Sequence, residues 1–155
     1  MTVKVLAVSN SDVRQELSRV LKISALYYSN LLNDFFSDLG LTAGQGEVLL
    51  YLYNQPSNAI ETNKLLQFFK VSSASLSGIL KKLKQSGYIV YLRDQDDARK
   101  KIISLTSKAV KCQKPLEEKM QQFYEIVYQT IDDLECKSAY VILGKLIQNI
   151  SDYQE

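Results

Sequence analysis

The sequence predicts a mainly helical fold with one small β-hairpin, in which a helix-turn-helix precedes the hairpin and further helices flank both. Two prolines and six glycines in 155 residues favour long helices over a β architecture with many turns. Residues 71–106 combine a capped amphipathic helix, an alternating hairpin pattern and most of the excess positive charge. A hydrophobic content of 46% is sufficient for one globular core.

The first part of the chain predicts two helices. Ser11 and Asp12 mark a helix start, after which apolar residues recur at three- and four-residue steps until Gly40 ends the helix. Thr42 and Gln45 have the spacing of a capping box, in which each side chain accepts a hydrogen bond from the other residue's backbone amide. A second helix is therefore expected from Thr42 to about residue 54.

The next segment predicts a helix-turn-helix, because two short helices follow each other without a loop. Ile60 is expected either in a short strand or in the lead-in to the third helix, Glu61–Phe69, and Ser72 is the expected N-cap of the fourth. In the third helix the residues expected to face the core are Leu65, Leu66, Phe68 and Phe69. In the fourth, the apolar face holds Leu76, Ile79, Leu80 and Leu83, and the opposite face holds Ala74, Gly78, Lys81 and Gln85.

The polar face of the fourth helix is free to enter a groove. Ser73, Ser75 and Ser77 alternate along the helix start, where short hydroxyl side chains can donate to phosphates or base edges. Serines are also simply tolerated on an exposed first turn, and the pattern alone leaves that interpretation open.

A hairpin follows the fourth helix. Gly87 ends the helix, and the aromatic and β-branched run Tyr88–Leu92 is typical of a strand. A polar loop, Arg93–Lys100, leads to the partner strand, Lys101–Leu105. A helix-turn-helix followed by a charged hairpin is a winged helix.

Positive charge is concentrated around the fourth helix and the hairpin. Residues 70–101 carry eight Lys/Arg against three acids, a local balance of +5, although the whole chain has a net charge of only +2. A basic face of this kind attracts nucleic acid because it releases the counterions condensed on phosphate. The alternative is an ordinary solvated surface of lysines.

Two further helices complete the predicted fold. One begins at Thr106 or Ser107 and runs to about Asp132, with Pro115 either kinking it early or marking a late start. The last runs from about residue 137 to about residue 151. Both have apolar stripes that need a partner surface.

Several function classes are disfavoured by composition. The chain has no histidine, which removes the commonest transition-metal ligand and general base, and we expect no enzyme activity and no cofactor. The apolar run Val3–Val8 is too short for a secretion signal or a membrane span, so a cytoplasmic protein is expected. Cys112 and Cys136 are then expected to be reduced packing residues, with a redox switch as the alternative.

The order of elements and the segment Asp97–Thr106, with its D-x-R, alternating apolar residues and L-T, resemble the MarR family of bacterial transcriptional regulators. Leu41-Thr42 with Gln45, Val71-Ser72, and Gly87-Tyr88-Ile89 before Arg93 fit the same pattern, so the resemblance covers about residues 11–152. It implies a DNA-binding lobe at about residues 41–106 and dimerisation helices at about residues 11–39 and 107–152.

The resemblance also implies a homodimer that places two recognition helices in the major groove of a pseudo-palindromic operator and two wings near the minor groove. The residues implied at the start of the recognition helix are Ser72, Ser73, Ser75 and Ser77. In the wing, Arg99 would reach toward the minor groove, Asp97 would brace it, and Arg93, Lys100 and Lys101 would touch phosphate or flank the wing. Many family members have arginine at the position of Gly78, so readout here is expected to depend more on Lys81, Lys82 and the wing.

In relatives, aromatic acids and other small amphipathic molecules bind between the dimer helices and the winged lobe. Tyr27, Tyr28 and Tyr51 are the candidate ligand-binding residues, although tyrosines at helical spacing are more often core residues. The sequence therefore predicts a ligand-responsive homodimeric repressor that binds double-stranded DNA. The alternatives are a winged-helix interaction module without DNA binding and a regulator that senses oxidants through its thiols.

Overall fold

The computed structural model describes residues 13–56, 59–93 and 101–154. Six helices and three short strands follow each other along these residues, and the predicted mainly helical fold with a hairpin is confirmed. The helices are α1 (Val13–Ser37), α2 (Ala43–Tyr53), α3 (Thr62–Phe69), α4 (Ser73–Gln85), α5 (Ser107–Val127) and α6 (Asp133–Gln154). The strands are β1 (Ala59–Glu61), β2 (Ile89–Arg93) and β3 (Lys101–Leu105).

The corner between α1 and α2 is built as the sequence predicts. Gly40 adopts a φ of 67°, a left-handed conformation that glycine tolerates, after which the chain turns into α2. The capping box is confirmed, since the Gln45 amide donates to Thr42 Oγ1 at 3.4 Å and the Thr42 amide donates to Gln45 Oε1 at 3.0 Å. Asn33 on α1 also accepts a hydrogen bond from the Ala43 amide at 2.7 Å. Ser11 and Asp12 lie outside the described residues.

The helix-turn-helix consists of α3 and α4. Lys70 ends α3 in a left-handed conformation with φ 51°, and Ser72 caps α4 by accepting a hydrogen bond from the Ser75 amide. Leu65 is fully buried as predicted, but the prediction that Phe68 faces the core is wrong, because 61% of Phe68 is exposed. Phe68 instead lies on the ring of Tyr51, with the ring centroids 4.2 Å apart.

The sheet has the strand order β1–β3–β2, and all its pairs are antiparallel. Ile60 pairs with Ile103, so the alternative in which it forms a short strand is correct. In the hairpin Tyr91 also pairs with Ile103, and Arg93 pairs with Lys101. The wing loop between these last two residues lies outside the described residues.

The core of the winged region is apolar and closely packed. Phe36 on α1 is fully buried and lies against Gly46 on α2, where any side chain larger than hydrogen would have no space. The other fully buried positions include Leu49, Leu52, Leu65, Leu76, Leu80, Leu83, Ile89, Ile103 and Leu116. The apolar face of α4 therefore packs inward, which fixes the direction of its polar face.

The two C-terminal helices differ from the prediction at their ends. Helix α5 includes Pro115 in its interior, so the late-start alternative is wrong, and it ends at Val127 rather than near Asp132. Helix α6 begins at Asp133, earlier than predicted. The chain forms two compact units that divide between Lys119 and Met120. The predicted assignment of the terminal helices to dimerisation remains a prediction.

Candidate nucleic-acid interface

The recognition helix, α4, presents a polar face opposite its buried stripe. Leu76, Leu80 and Leu83 are at most 1% exposed. The exposed residues of the helix are Ser73, Ala74, Ser75, Ser77, Gly78, Lys81, Lys82, Lys84 and Gln85. Space around Gly78 is open, since an added Cβ would meet nothing within 4 Å. This face is therefore accessible along its whole length within the chain.

The four predicted serines fall into two pairs. Ser72 accepts a hydrogen bond from the Ser75 amide at 3.1 Å, and the two hydroxyl oxygens lie 2.8 Å apart. These two side chains thus stabilise the start of α4. Ser73 and Ser77 are exposed on the helix surface. Of the four, Ser73 and Ser77 are the better placed to meet a ligand without loss of the cap.

The charge of the helix has one sign. Helix α4 contains lysines at positions 81, 82 and 84 and no acidic residue, so nothing within the helix neutralises them. Lys101 is exposed at the start of β3, and Arg93 ends β2 beside it in the register. Asp97, Arg99 and Lys100 lie outside the described residues, so their assignment to the wing stays a prediction.

Contacts between the helix-turn-helix and the hairpin hold the wing base. The Lys84 ammonium lies over the ring of Tyr91, with Nζ 5.2 Å from the ring centroid. On the other side of the hairpin, Thr62 Oγ1 donates to the carbonyl oxygen of Lys101 at 3.0 Å. Lys84 belongs to the basic cluster, but none of Lys84, Tyr91 and Thr62 is among the site residues that the sequence predicts. No local signal pairs residues that are distant in sequence.

The end of α4 is fixed by Tyr88, which is buried. Its hydroxyl donates to the Leu39 carbonyl at 3.2 Å, and the Lys108 ammonium lies 4.4 Å from its ring centroid. Lys108 also donates to the Ser86 carbonyl at 2.7 Å. Burial raises the pKa of Tyr88, and nearby Cys112 raises it further, so the phenol stays protonated as a donor.

A second buried phenol links α2 to the start of α5. Tyr53 donates to the carbonyl oxygen of Ala109 at 2.7 Å, and burial raises the pKa of Tyr53 well above its ordinary value. Burial likewise raises the pKa of Glu47, which lies on the same helix as Tyr53. These contacts are structural, and they fix where the DNA-reading elements begin.

The three candidate ligand tyrosines lie in different environments. Tyr27 on α1 is 61% exposed, and Tyr28 beside it is partly buried. Tyr51 belongs to an aromatic cluster with Phe68 and Phe69, at centroid distances of 4.2 and 5.7 Å. Tyr51 therefore has a packing role, whereas ligand binding by the three residues remains a prediction.

The C-terminal unit carries an exposed apolar surface. Exposure reaches 73% for Leu134, 80% for Tyr140 and 64% for Ile147. A groove of about 640 Å³ in this unit is lined by Tyr128, Ile131, Cys136, Lys137, Ala139, Tyr140, Val141 and Leu143. Apolar patches this exposed are typical of surfaces that bind a partner.

The two cysteines, Cys112 and Cys136, are both free, partly buried thiols. Neither is paired in a disulfide, in agreement with the expectation of reduced residues. Within residues 13–56, 59–93 and 101–154, no helix combines the length and apolarity that crossing a bilayer requires.

Fold and site together define a winged helix-turn-helix protein with an exposed basic recognition helix. A sequence model of the family described as transcriptional regulator SarA/Rot matches residues 30–116, more than half of the chain. The chain therefore belongs to the SarA/Rot family of transcriptional regulators, which is not an enzyme family. The prediction of a DNA-binding transcriptional regulator is confirmed, and the alternative functions are not favoured.

Individual proteins agree with this family. The uncharacterised HTH-type transcriptional regulator YybA of Bacillus subtilis is 26% identical over 140 residues, covering 90% of this chain and 89% of YybA. The HTH-type transcriptional repressor YetL of the same organism is 21% identical, over 82% of this chain and 76% of YetL. A crystal structure of a mutant MarR from E. coli in complex with operator DNA superposes with a TM-score of 0.77, at 20% identity, over 90% of this chain and 99% of that one. The predicted MarR-type fold is thereby confirmed.

Proposed function

We propose that this protein is a homodimeric repressor that binds a pseudo-palindromic DNA operator through α4 and the wing. The observation that carries the proposal is the exposed face of α4, which has three lysines and no acid and lies opposite a fully buried stripe. An α-helix fits the major groove, and an exposed face of small and basic residues allows close approach to base edges and phosphates.

The proposed DNA contacts divide by chemistry. Ser73 and Ser77 have short exposed hydroxyls near the helix start, which suits contacts to base edges or phosphates. The lysines at 81, 82 and 101 suit phosphate, and Arg93, Asp97, Arg99 and Lys100 are assigned to the wing from the sequence resemblance. Ser72 and Ser75 contribute by capping the helix, so their removal would act through the position of α4.

The proposed dimer uses the terminal helices. The exposed apolar residues of α6 and the groove beside them need a cover, and a second copy of the chain supplies one of matching composition. Replacing Ile147, which is 64% exposed, with glutamate is expected to convert the dimer to a monomer in sedimentation velocity. Asn149→Glu is the matched control, since it adds the same charge at an exposed polar position of α6. A dimer that survives Ile147→Glu would place the interface elsewhere.

Repression is proposed because a dimer that occupies a promoter blocks polymerase by occupancy alone, and the relative YetL is named a repressor. Such a regulator would act in the cytoplasm, where the bacterial chromosome lies. We further propose that a small amphipathic or aromatic ligand shifts the spacing of the two recognition helices, with Tyr27 and Tyr28 as the candidate contacts. Tyr51 is a weaker candidate because it packs on α3.

The test is selection of DNA by the purified protein from a fragmented library of its host's genome at moderate salt, followed by sequencing. A two-fold-related motif is expected among the retained fragments. Affinity for that motif is expected to fall by about 10³ to 10⁵ from about 50 to 200 mM salt, if a dimer makes roughly 6 to 10 phosphate contacts. Uniform retention that vanishes with salt would contradict the proposal.

A further inference from the structure

The wing base is attached to the helix-turn-helix on both of its strands. On β3, the Lys101 carbonyl accepts the hydrogen bond from Thr62 at 3.0 Å. On β2, the Tyr91 ring lies under the Lys84 ammonium at 5.2 Å. Because Arg93 pairs with Lys101 in the hairpin register, the two attachments fall within two residues of the last strand pair before the wing loop.

The contact between Lys84 and Tyr91 continues the packing of α4 on β2 outward toward the wing. Side chains alternate along a strand, so Tyr91 lies on the same face of the sheet as Ile89, which is buried. On the helix, Lys84 lies one turn beyond Leu80, which is also buried. The buried helix–strand packing thus ends in a lysine and an aromatic ring, each exposed enough to move when DNA binds.

We propose that Lys84 and Tyr91 are positioning residues that set the angle of the wing relative to the recognition helix. The inference rests on the proposed function, because it concerns how the two DNA-reading elements act together. With the ammonium on the ring, α4 and the wing form one preorganised surface, so the wing does not have to be ordered at the moment of binding. Lys84 therefore acts mainly through Tyr91, in contrast to Lys81 and Lys82, which are proposed to contact phosphate.

The test is a double-mutant cycle on DNA affinity, measured by fluorescence anisotropy with a labelled duplex of the selected motif. Tyr91→Leu removes the ring and is expected to weaken binding about two- to fivefold, the size of an exposed cation–π contact. In a Lys84→Met background the same Tyr91→Leu change is expected to have no further effect. Tyr91→Phe keeps the ring and is expected to bind as the parent does.

A hydroxyl-radical footprint separates positioning from a loss of fold. In Tyr91→Leu, protection of the minor groove flanking each half-site is expected to weaken while protection of the major groove is kept. Equal losses at both grooves, an effect of Tyr91→Leu that persists in the Lys84→Met background, or an unchanged affinity would each overturn the inference. If the parent protein selects no motif, the proposed function fails as well, whereas a parent that binds with an uncoupled cycle contradicts only the positioning role.

Discussion

Two glycines of the helical framework are expected to respond in opposite directions to the same substitution. Gly78 lies in the middle of α4, has no left-handed φ, and an added Cβ would meet nothing within 4 Å. Gly78→Ala is therefore expected to stabilise the fold by about 0.5–1 kcal/mol, the helix-propensity difference between the two residues. Gly46 lies in α2, but an added Cβ there would be less than 3.0 Å from both Cε2 and Cδ2 of Phe36.

The cost at Gly46 follows from the burial of Phe36, which is 0% exposed and so cannot swing into solvent. Overpacking a core usually costs about 1–3 kcal/mol, and the overlap with two ring atoms puts this substitution in the upper half of that range. Subtracting about 1 kcal/mol of helix propensity leaves a net loss of about 1–2 kcal/mol. At about 2–4 °C per kcal/mol, Gly46→Ala should lower Tm by about 2–8 °C and Gly78→Ala should raise it by about 1–4 °C.

Urea unfolding followed by far-UV circular dichroism measures both changes, at one protein concentration because dimerisation would make stability concentration-dependent. A stabilised Gly46→Ala would refute the packing of α1 on α2. A destabilised Gly78→Ala would refute the open face of α4. A Gly78→Ala protein that is more stable but binds DNA less tightly would place Gly78 in close contact with the duplex.

Three further substitutions test the framework around the site. Tyr53→Phe removes the 2.7 Å hydrogen bond to Ala109 and should cost about 1 kcal/mol in urea unfolding, whereas Tyr140→Phe, at an 80% exposed position, should cost nothing measurable. Thr42→Ala removes the cap of α2 and should cost about 1 kcal/mol, with Thr42→Ser retaining most of the stability. Burial raises the pKa of Glu47, so its contribution is fully present below its ordinary pKa and is lost as the pH rises through the raised value. Glu47→Gln should therefore be more stable than the parent at about pH 7, and the difference should shrink toward about pH 4; a constant difference would contradict the burial argument.

Local signals in the sequence predict the elements that carry the site. The capping box of α2, the N-cap Ser72 and the bounds of β3 depend on residues within three or four positions of each other, and all three are confirmed. The early start of α6 has a similar local signal, which apolar periodicity does not reveal because the capping residues are polar. Asp132 accepts hydrogen bonds from the amides of Leu134 and Glu135 at 2.8 Å each, and Glu135 accepts one from the Asp132 amide at 3.0 Å.

Other features depend on tertiary contacts and leave no local pattern. Phe68 lies in a short helix with two adjacent aromatic residues, so periodicity does not distinguish the buried side chain from the one that lies on Tyr51. The contact of Lys84 with Tyr91 joins a helix to a strand, and the sequence shows only the basic and aromatic character of the two residues. Composition thus indicates the basic face, whereas the connection between helix and wing requires the fold.

The salt dependence of DNA affinity in Lys81→Ala tests the central claim most directly, because Lys81 lies on the exposed face of α4. With a duplex of the selected motif, the slope of log affinity against log salt is expected to decrease by about one for each lysine removed, about two for a dimer. Lys114→Ala, at a side chain that is 87% exposed on α5, is the control and should leave the slope unchanged. A Lys81→Ala protein with the parent's affinity and slope would contradict DNA recognition through α4.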